Sequence, residues 1–178
     1  MKTFLTLALI FVFSITFSQE THYQTIKAAL KVTATKDGRQ FNWENKNLAI
    51  RLDYKTGNFI ARINSNDFTA PEAGKDNTEP DADVERNYVF KGILPVRQLI
   101  NQKSITQGHT VEMQLICDEL MLNEAVQFQM SVTRPGTGNY RIFTLSGKLY
   151  NDEVNIPAFK DYDNEINLFI IFNAINSN

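Results

Sequence analysis

Apolar and polar residues alternate along most of this chain, and this pattern is the strongest constraint on its fold. Apolar residues occupy every second position in the stretches 26–34, 48–54, 111–117 and 126–132. Successive side chains of a β-strand point to opposite faces, so a period of two is typical of half-buried strands. No stretch after residue 18 keeps an apolar period of 3.6 residues through three helical turns. The sequence therefore predicts an all-β protein.

Turn-forming residues separate the alternating stretches. Asp37 and Gly38 tolerate a positive φ and predict a tight hairpin, and 55–58 and 135–138 supply similar turn residues. We also expect a turn or bulge at 123–124 and a strand that begins just after Gly108. Short turns between about eight strands indicate an antiparallel barrel, because closure removes exposed sheet edges. A β-sandwich is the alternative that the pattern leaves open.

The first residues have the pattern of a secretory signal peptide. Lys2 precedes an apolar run at 4–17, and small residues occupy the third-last and last positions before Gln19. The run is shorter than the roughly 18 to 20 residues that span a bilayer. We therefore expect a signal peptide at 1–18, no transmembrane anchor, and one β-barrel domain at 19–178. The protein is predicted to be exported, either to the periplasm or out of the cell.

An acid-rich stretch interrupts the alternation at about 64–87. It holds Pro71, Gly74, Pro80 and seven acidic residues, which is typical of a polar loop. The whole chain has a net charge of −2 and no cluster of basic residues. This charge pattern argues against nucleic acid as a partner.

Residue types that carry out catalysis or bind metals are scarce. His22 and His109 are the two histidines, and Cys117 is the single cysteine. Cys117 alternates with apolar residues, which is typical of a buried, unreactive thiol. The histidines and cysteine do not provide a zinc ligand set, and no nucleophile lies at triad spacing from a histidine. We therefore predict that the protein is not an enzyme and has no cofactor and no metal site.

Several stretches resemble the YceI-like family of exported bacterial proteins. The stretch Asn87–Ile93 is similar to the family's mid-chain strand, with its aromatic residue and glycine, and 111–133 is similar to the hairpin that follows. The stretches 143–147, 155–157 and 163–168 resemble the C-terminal pattern of the family. The chain is therefore similar to a divergent YceI-like protein, and the resemblance implies a lipocalin-like barrel.

The resemblance further implies a non-catalytic protein that holds a long-chain isoprenoid or another amphiphilic lipid in the barrel lumen. Alternation places eight large apolar residues on faces that would line such a lumen: Phe90, Met113, Leu115, Phe128, Met130, Phe143, Leu145 and Leu168. The same side chains would equally fill a solid core. The alternative function is therefore a filled-core structural or protein-interaction module of the cell envelope. The sequence leaves the oligomeric state open.

Overall fold

The computed structural model describes residues 22–24, 27–69, 84–100, 105–136 and 140–175. Within these ranges the chain forms eleven strands and two short α-helices, α1 (Val96–Ile100) and α2 (Asn151–Val154). The strands are β1 (His22–Gln24), β2 (Ala28–Lys36), β3 (Arg39–Asn45), β4 (Ala49–Asp53), β5 (Asn58–Asn64), β6 (Phe68–Thr69), β7 (Asn87–Ile93), β8 (Ile105–Cys117), β9 (Leu122–Thr133), β10 (Tyr140–Tyr150) and β11 (Glu165–Ile175). The predicted all-β class is confirmed.

All of these strands belong to one antiparallel sheet, in the order β1-β4-β5-β7-β8-β9-β10-β11-β2-β3-β6. The sheet curls into a half-barrel. Because a single sheet surrounds the core, the predicted barrel is confirmed and the sandwich alternative is wrong. The strands β3 and β4 follow each other in the chain, yet they lie near opposite edges of the sheet. Their short connection draws those two edges together.

Asn45 ties the two edges together at the end of β3. Its side chain is fully buried, and its Nδ2 donates a hydrogen bond to the carbonyl oxygen of Asn64, at the end of β5 (3.1 Å). Its Oδ1 accepts a bond from the backbone N–H of Asn47 (2.9 Å). A buried amide with both ends satisfied contributes stability and fixes the local geometry, so this residue holds the curled shape of the sheet.

The predicted turn between β2 and β3 is confirmed. Asp37 and Gly38 have φ values of 52° and 72°, and the strands pair in register from Lys36 opposite Arg39. This backbone conformation matches the twist of the flanking strands, which is why Asp-Gly is favoured there.

Two of the predicted boundaries are wrong. The turn expected at 123–124 lies earlier, where Asp118–Leu120 form a 3-10 turn and Met121 follows with φ 52°. Gly108 does not precede a strand, because β8 already begins at Ile105, with a register shift between Ile105 and His109. The segment between β7 and β8 contains α1, which had no signal in the alternation.

The predicted signal peptide at 1–18 lies outside the described residues, as does 70–83 of the predicted acidic loop. The described start of that loop forms a 3-10 turn, Ser65–Asp67, and then β6, which pairs with the end of β3. All described strands from β2 to β11 except β6 contribute to one buried apolar cluster. The described residues therefore share a single core.

Inward-facing residues follow the alternation closely. Along β11, for example, buried and exposed residues alternate from Glu165 to Phe172. Gly147 on β10 also faces inward, opposite Phe128 on β9. A Cβ on this glycine would lie 2.7 Å from the Phe128 ring, so the missing side chain provides the space that this ring occupies.

Candidate functional site

A partly open apolar cavity at one end of the barrel is the candidate site, and we call it the end cavity. Its volume is about 80 Å³. It lies where β5 and β8 end and β7 and β11 begin. Its walls are apolar side chains from eight strands: Leu30, Trp43, Ile63, Phe68, Phe90, Leu115, Leu149 and Leu168. Apolar walls of this kind select an apolar ligand group.

The segment that joins β10 to β11, residues 151–164, covers the end cavity, and we call it the cap segment. It begins with α2 and continues into a 3-10 turn at Pro157–Phe159. Ile156, Ala158 and Phe159 of the cap segment line the end cavity. The Phe159 ring meets the Trp43 ring edge-on, with 5.7 Å between the ring centroids.

Hydrogen bonds within the cap segment join its first residues to its middle and its end. The backbone N–H of Asn151 donates to the carbonyl of Asn164 (2.8 Å), and its side-chain Nδ2 donates to the carbonyl of Phe159. The backbone N–H of Asp152 donates to Oδ1 of Asn164 (2.9 Å). The cap segment thus has its own bonding. It is also joined to β2, because the N–H of Asp163 donates to the carbonyl of Thr35 (2.7 Å) and Lys36 lies over the ring of Tyr162.

Three polar residues also line the end cavity, namely Ser65, Arg86 and Tyr88. Ser65 and Arg86 are tied together, because the N–H of Ser65 donates to the carbonyl of Arg86 and the N–H of Arg86 donates to Oγ of Ser65 (both 2.9 Å). All three side chains are half-buried, so they extend from the cavity towards the surface. They give one polar edge to an otherwise apolar site.

Tyr88 keeps its proton over the whole neutral range. Desolvation by burial is the main cause that raises its pKa from 10.0 to about 12. The nearby charges of Cys117 and Glu119 raise this pKa further, whereas the positive charge of Arg86 lowers it. The phenol is therefore a neutral hydrogen-bonding group at this edge of the site.

The eight residues predicted to line a lumen all face the interior and are at most 4% exposed. Phe90, Leu115 and Leu168 line the end cavity. The other five lie in the core away from it: Met113, Phe128, Met130, Phe143 and Leu145. Whether any of the eight contacts a ligand stays a prediction.

Sequence reasoning missed several residues of the end cavity. Trp43 lies on a strand with alternating apolar residues, so the sequence could predict that it faces inwards. The sequence could not predict that it lies at the end of the barrel. Phe159 lies in irregular structure that carries no periodic signal. Ser65 and Arg86 lie within or next to the acid-rich stretch, where a polar residue is unremarkable. Only the fold brings these residues together.

Cys117 and the two histidines are the residues that the sequence offers for catalysis or metal binding. Cys117 is fully buried, and its Sγ donates to Oε2 of Glu119 (3.3 Å). Desolvation by burial raises the pKa of this thiol, which favours the unreactive form. His109 is half-buried within β8, and the side chain of His22 lies outside the described residues.

Among the described residues, no group of three or more His, Cys, Asp or Glu residues is arranged to hold a metal ion. No described helix has the length and apolar character needed to cross a membrane.

A second, wider cleft lies on the outer surface between β2, β4 and β11, with a volume of about 720 Å³. Charged and amide side chains form much of its lining, including Lys27, Glu44, Lys46 and Asn173. The lining of this cleft is more polar than that of the end cavity, and we do not assign a ligand to it.

Two solved structures are similar to this chain. One is a polyisoprenoid binding domain from Saccharophagus degradans that is implicated in plant cell wall breakdown; it matches with a TM-score of 0.61 and 9% sequence identity over 86% of this chain and 98% of that one. The other is BcnA from Burkholderia cenocepacia, with a TM-score of 0.54 and 13% identity over 83% of this chain and 96% of that one. The chain therefore has the lipocalin-like barrel fold of YceI-like proteins.

Sequence comparison adds nothing to this structural likeness. No protein-family model matches the chain, and no curated protein matches it in sequence. At identities this low, the likeness establishes the fold and leaves the ligand open.

Proposed function

We propose that this protein is an exported, non-catalytic binding protein that takes an isoprenoid or another amphiphilic lipid into its barrel through the end cavity. The observation that carries the proposal is a partly open apolar cavity with a single polar edge. Such a cavity suits a ligand with an apolar tail and a polar head. Two further points support the proposal: the similar structure from S. degradans is a polyisoprenoid binding domain, and the first 18 residues have a signal-peptide pattern.

The volume of the end cavity sets a condition on this function. Sites for drug-sized ligands are about 300 to 1,000 Å³, whereas the end cavity holds about 80 Å³. A long isoprenoid therefore fits only if the cap segment moves outwards. The cap segment also contacts the strands. The rings of Phe159 and Tyr162 meet the Trp43 ring edge-on, and the N–H of Asp163 donates to the carbonyl of Thr35 on β2 (2.7 Å). An outward movement keeps the hydrogen bonds within the segment and must loosen these contacts with β2 and β3.

A filled-core interaction module of the cell envelope is the second candidate function. The small cavity volume favours it, as does the close packing of Phe143 and Phe172, whose rings stack with centroids 4.9 Å apart. In that case the end cavity is a packing void and the functional surface lies elsewhere.

Two alanine-to-phenylalanine variants distinguish the lipid-binding function from the filled-core function. Ala158→Phe places a ring in the end cavity and is expected to abolish uptake of farnesol while the protein still folds. Ala29→Phe is the matched control, because Ala29 is half-buried on β2 and borders the outer cleft. Native mass spectrometry measures uptake, and circular dichroism measures folding.

The same measurement on wild-type protein purified from its own cell-envelope extract tests for a natural ligand. A stoichiometric apolar adduct that is lost in Ala158→Phe and kept in Ala29→Phe supports the binding function. A bare protein mass, unchanged after incubation with farnesol, favours the filled-core module instead.

A further inference from the structure

Arg86 is the charged residue of the end cavity, and its backbone is held firmly in place. Its N–H and carbonyl both bond to Ser65, which fixes the start of β7 against the end of β5. Among the described residues that line the cavity, none is an aspartate or a glutamate. The cavity therefore has a positive charge at its edge that no described lining residue balances.

Two acidic groups of this region, Glu85 next to Arg86 in the chain and Glu119 near Tyr88, each accept a hydrogen bond from another residue. The carboxylate of Glu85 accepts a hydrogen bond from Nδ2 of Asn64. The carboxylate of Glu119 accepts one from the thiol of Cys117. Within the described part of the chain, no ion pair involves Arg86. Among these residues, an anionic ligand at the cavity edge would not compete with an existing ion pair of Arg86.

Ser65 adds a hydroxyl donor beside this charge. Its Oγ accepts a hydrogen bond from the N–H of Arg86, and its hydroxyl proton can be donated to a ligand. The contact of this hydroxyl with Oδ1 of Asn66 is long, at 3.5 Å. A hydrogen bond of that length is weak, and a closer acceptor would replace it.

From these observations we infer that the end cavity binds a carboxylic acid with one short apolar tail, the carboxylate pairing with Arg86 and Ser65. The inference rests on the proposed function and narrows its ligand class. A guanidinium presents a planar fork of donors that matches a carboxylate in two parallel hydrogen bonds. One carboxylate charge balances one arginine, whereas a phosphate monoester carries about −1.5 to −2 at neutral pH. With the cap segment in its present position, the small volume of the cavity admits only a short tail.

The test compares ligands that share a tail and differ in the head. Trp43 is the only tryptophan and lines the cavity, so its fluorescence reports binding. Octanoate is expected to bind about tenfold or more tightly than 1-octanol, because a charge-assisted hydrogen bond adds at least this factor. Arg86→Gln is expected to remove that preference, and Arg86→Lys to keep part of it. Arg62→Gln is the matched control, because Arg62 is exposed on the outer face of β5.

The other possible results of these binding measurements would each contradict a different part of the proposal. Equal affinities for octanoate and 1-octanol would overturn the carboxylate inference and leave the proposed function standing. Tighter binding of octyl phosphate than of octanoate would replace the carboxylate by a phosphate head, and binding of inorganic phosphate alone would show that the tail is not recognised. No response to any of these ligands or to farnesol would overturn the proposed function as well. Thermal melts of each variant confirm that the protein is folded.

Discussion

The two ends of the barrel are closed in different ways. Away from the cavity, Leu94, Val96 and Leu99 of the segment after β7 join the apolar core, and each is 1% exposed. We call this the packed end, with Phe59, Phe143 and Phe172 as its rings. At the other end, the cap segment covers the end cavity with half-buried residues such as Ala158 and Phe159.

This difference shows that a side chain can face the barrel interior without lying next to a space for a ligand. Phe172 and Leu168 lie on the same face of the same strand, β11. Phe172 stacks on Phe143 and meets Phe59 at 5.5 Å, whereas Leu168 borders the end cavity. The covering segment at each end decides which of the two roles an inward residue has.

The largest expected effect is at the packed end. Phe172→Ala removes a ring with two aromatic partners and is expected to lower the free energy of unfolding by about 3 to 5 kcal/mol. Phe159→Ala, in the cap segment, is expected to cost well under half of this, because its ring is half-buried and borders an existing cavity. Denaturant unfolding measures both values. Equal losses would break the distinction between the two ends.

A smaller effect is expected in the middle of the barrel. Met130 is fully buried on β9, opposite Leu145, and does not border the end cavity. Met130→Trp is therefore expected to strain the core and to destabilise the fold by about 1 to 3 kcal/mol. The Ala158→Phe variant is the control, because it adds a ring where space exists. Thermal melts that show no loss for Met130→Trp would indicate that the barrel is hollow beyond the end cavity.

Local features of the fold were predictable because they depend on neighbouring residues. The Asp37-Gly38 turn and the strand Tyr140–Tyr150 follow from positive-φ tolerance and from alternation, and both are present. The turn before β9 was placed wrongly because Leu120 and Leu122 continue the alternation across it. The residue between them, Met121, is apolar yet 94% exposed, which the pattern does not reveal.

The candidate site was less predictable because it depends on contacts that are distant in sequence. The space for the Phe128 ring exists because Gly147 lies opposite it, and this pairing follows from the strand register. The link between Ser65 and Arg86 joins residues on either side of the acid-rich stretch. Alternation identified the inward faces, and only the folded structure shows where on those faces a cavity remains.

The smallest effect is expected at the cavity edge and depends on pH. Because the pKa of Tyr88 is raised from 10.0 to about 12 in the folded state, the folded protein binds this proton more tightly than the unfolded chain does. The resulting stability is complete below pH 10 and is lost as the pH rises towards 12. Tyr88→Phe removes this pH-dependent contribution to stability. The thermal midpoint of the variant should therefore fall less than that of the wild type between neutral pH and about pH 11.

Tyr140→Phe is the control for other groups that titrate in this range, because Tyr140 is exposed on β10 and distant from the end cavity. This variant should lose stability with pH as the wild type does. The fluorescence of Trp43 adds a local measure, since ionised Tyr88 would draw water to the cavity edge while the packed end, lined by apolar residues, stays closed. If Tyr88→Phe and Tyr140→Phe respond alike, the phenol of Tyr88 is solvated and the cavity edge is more open than its burial indicates.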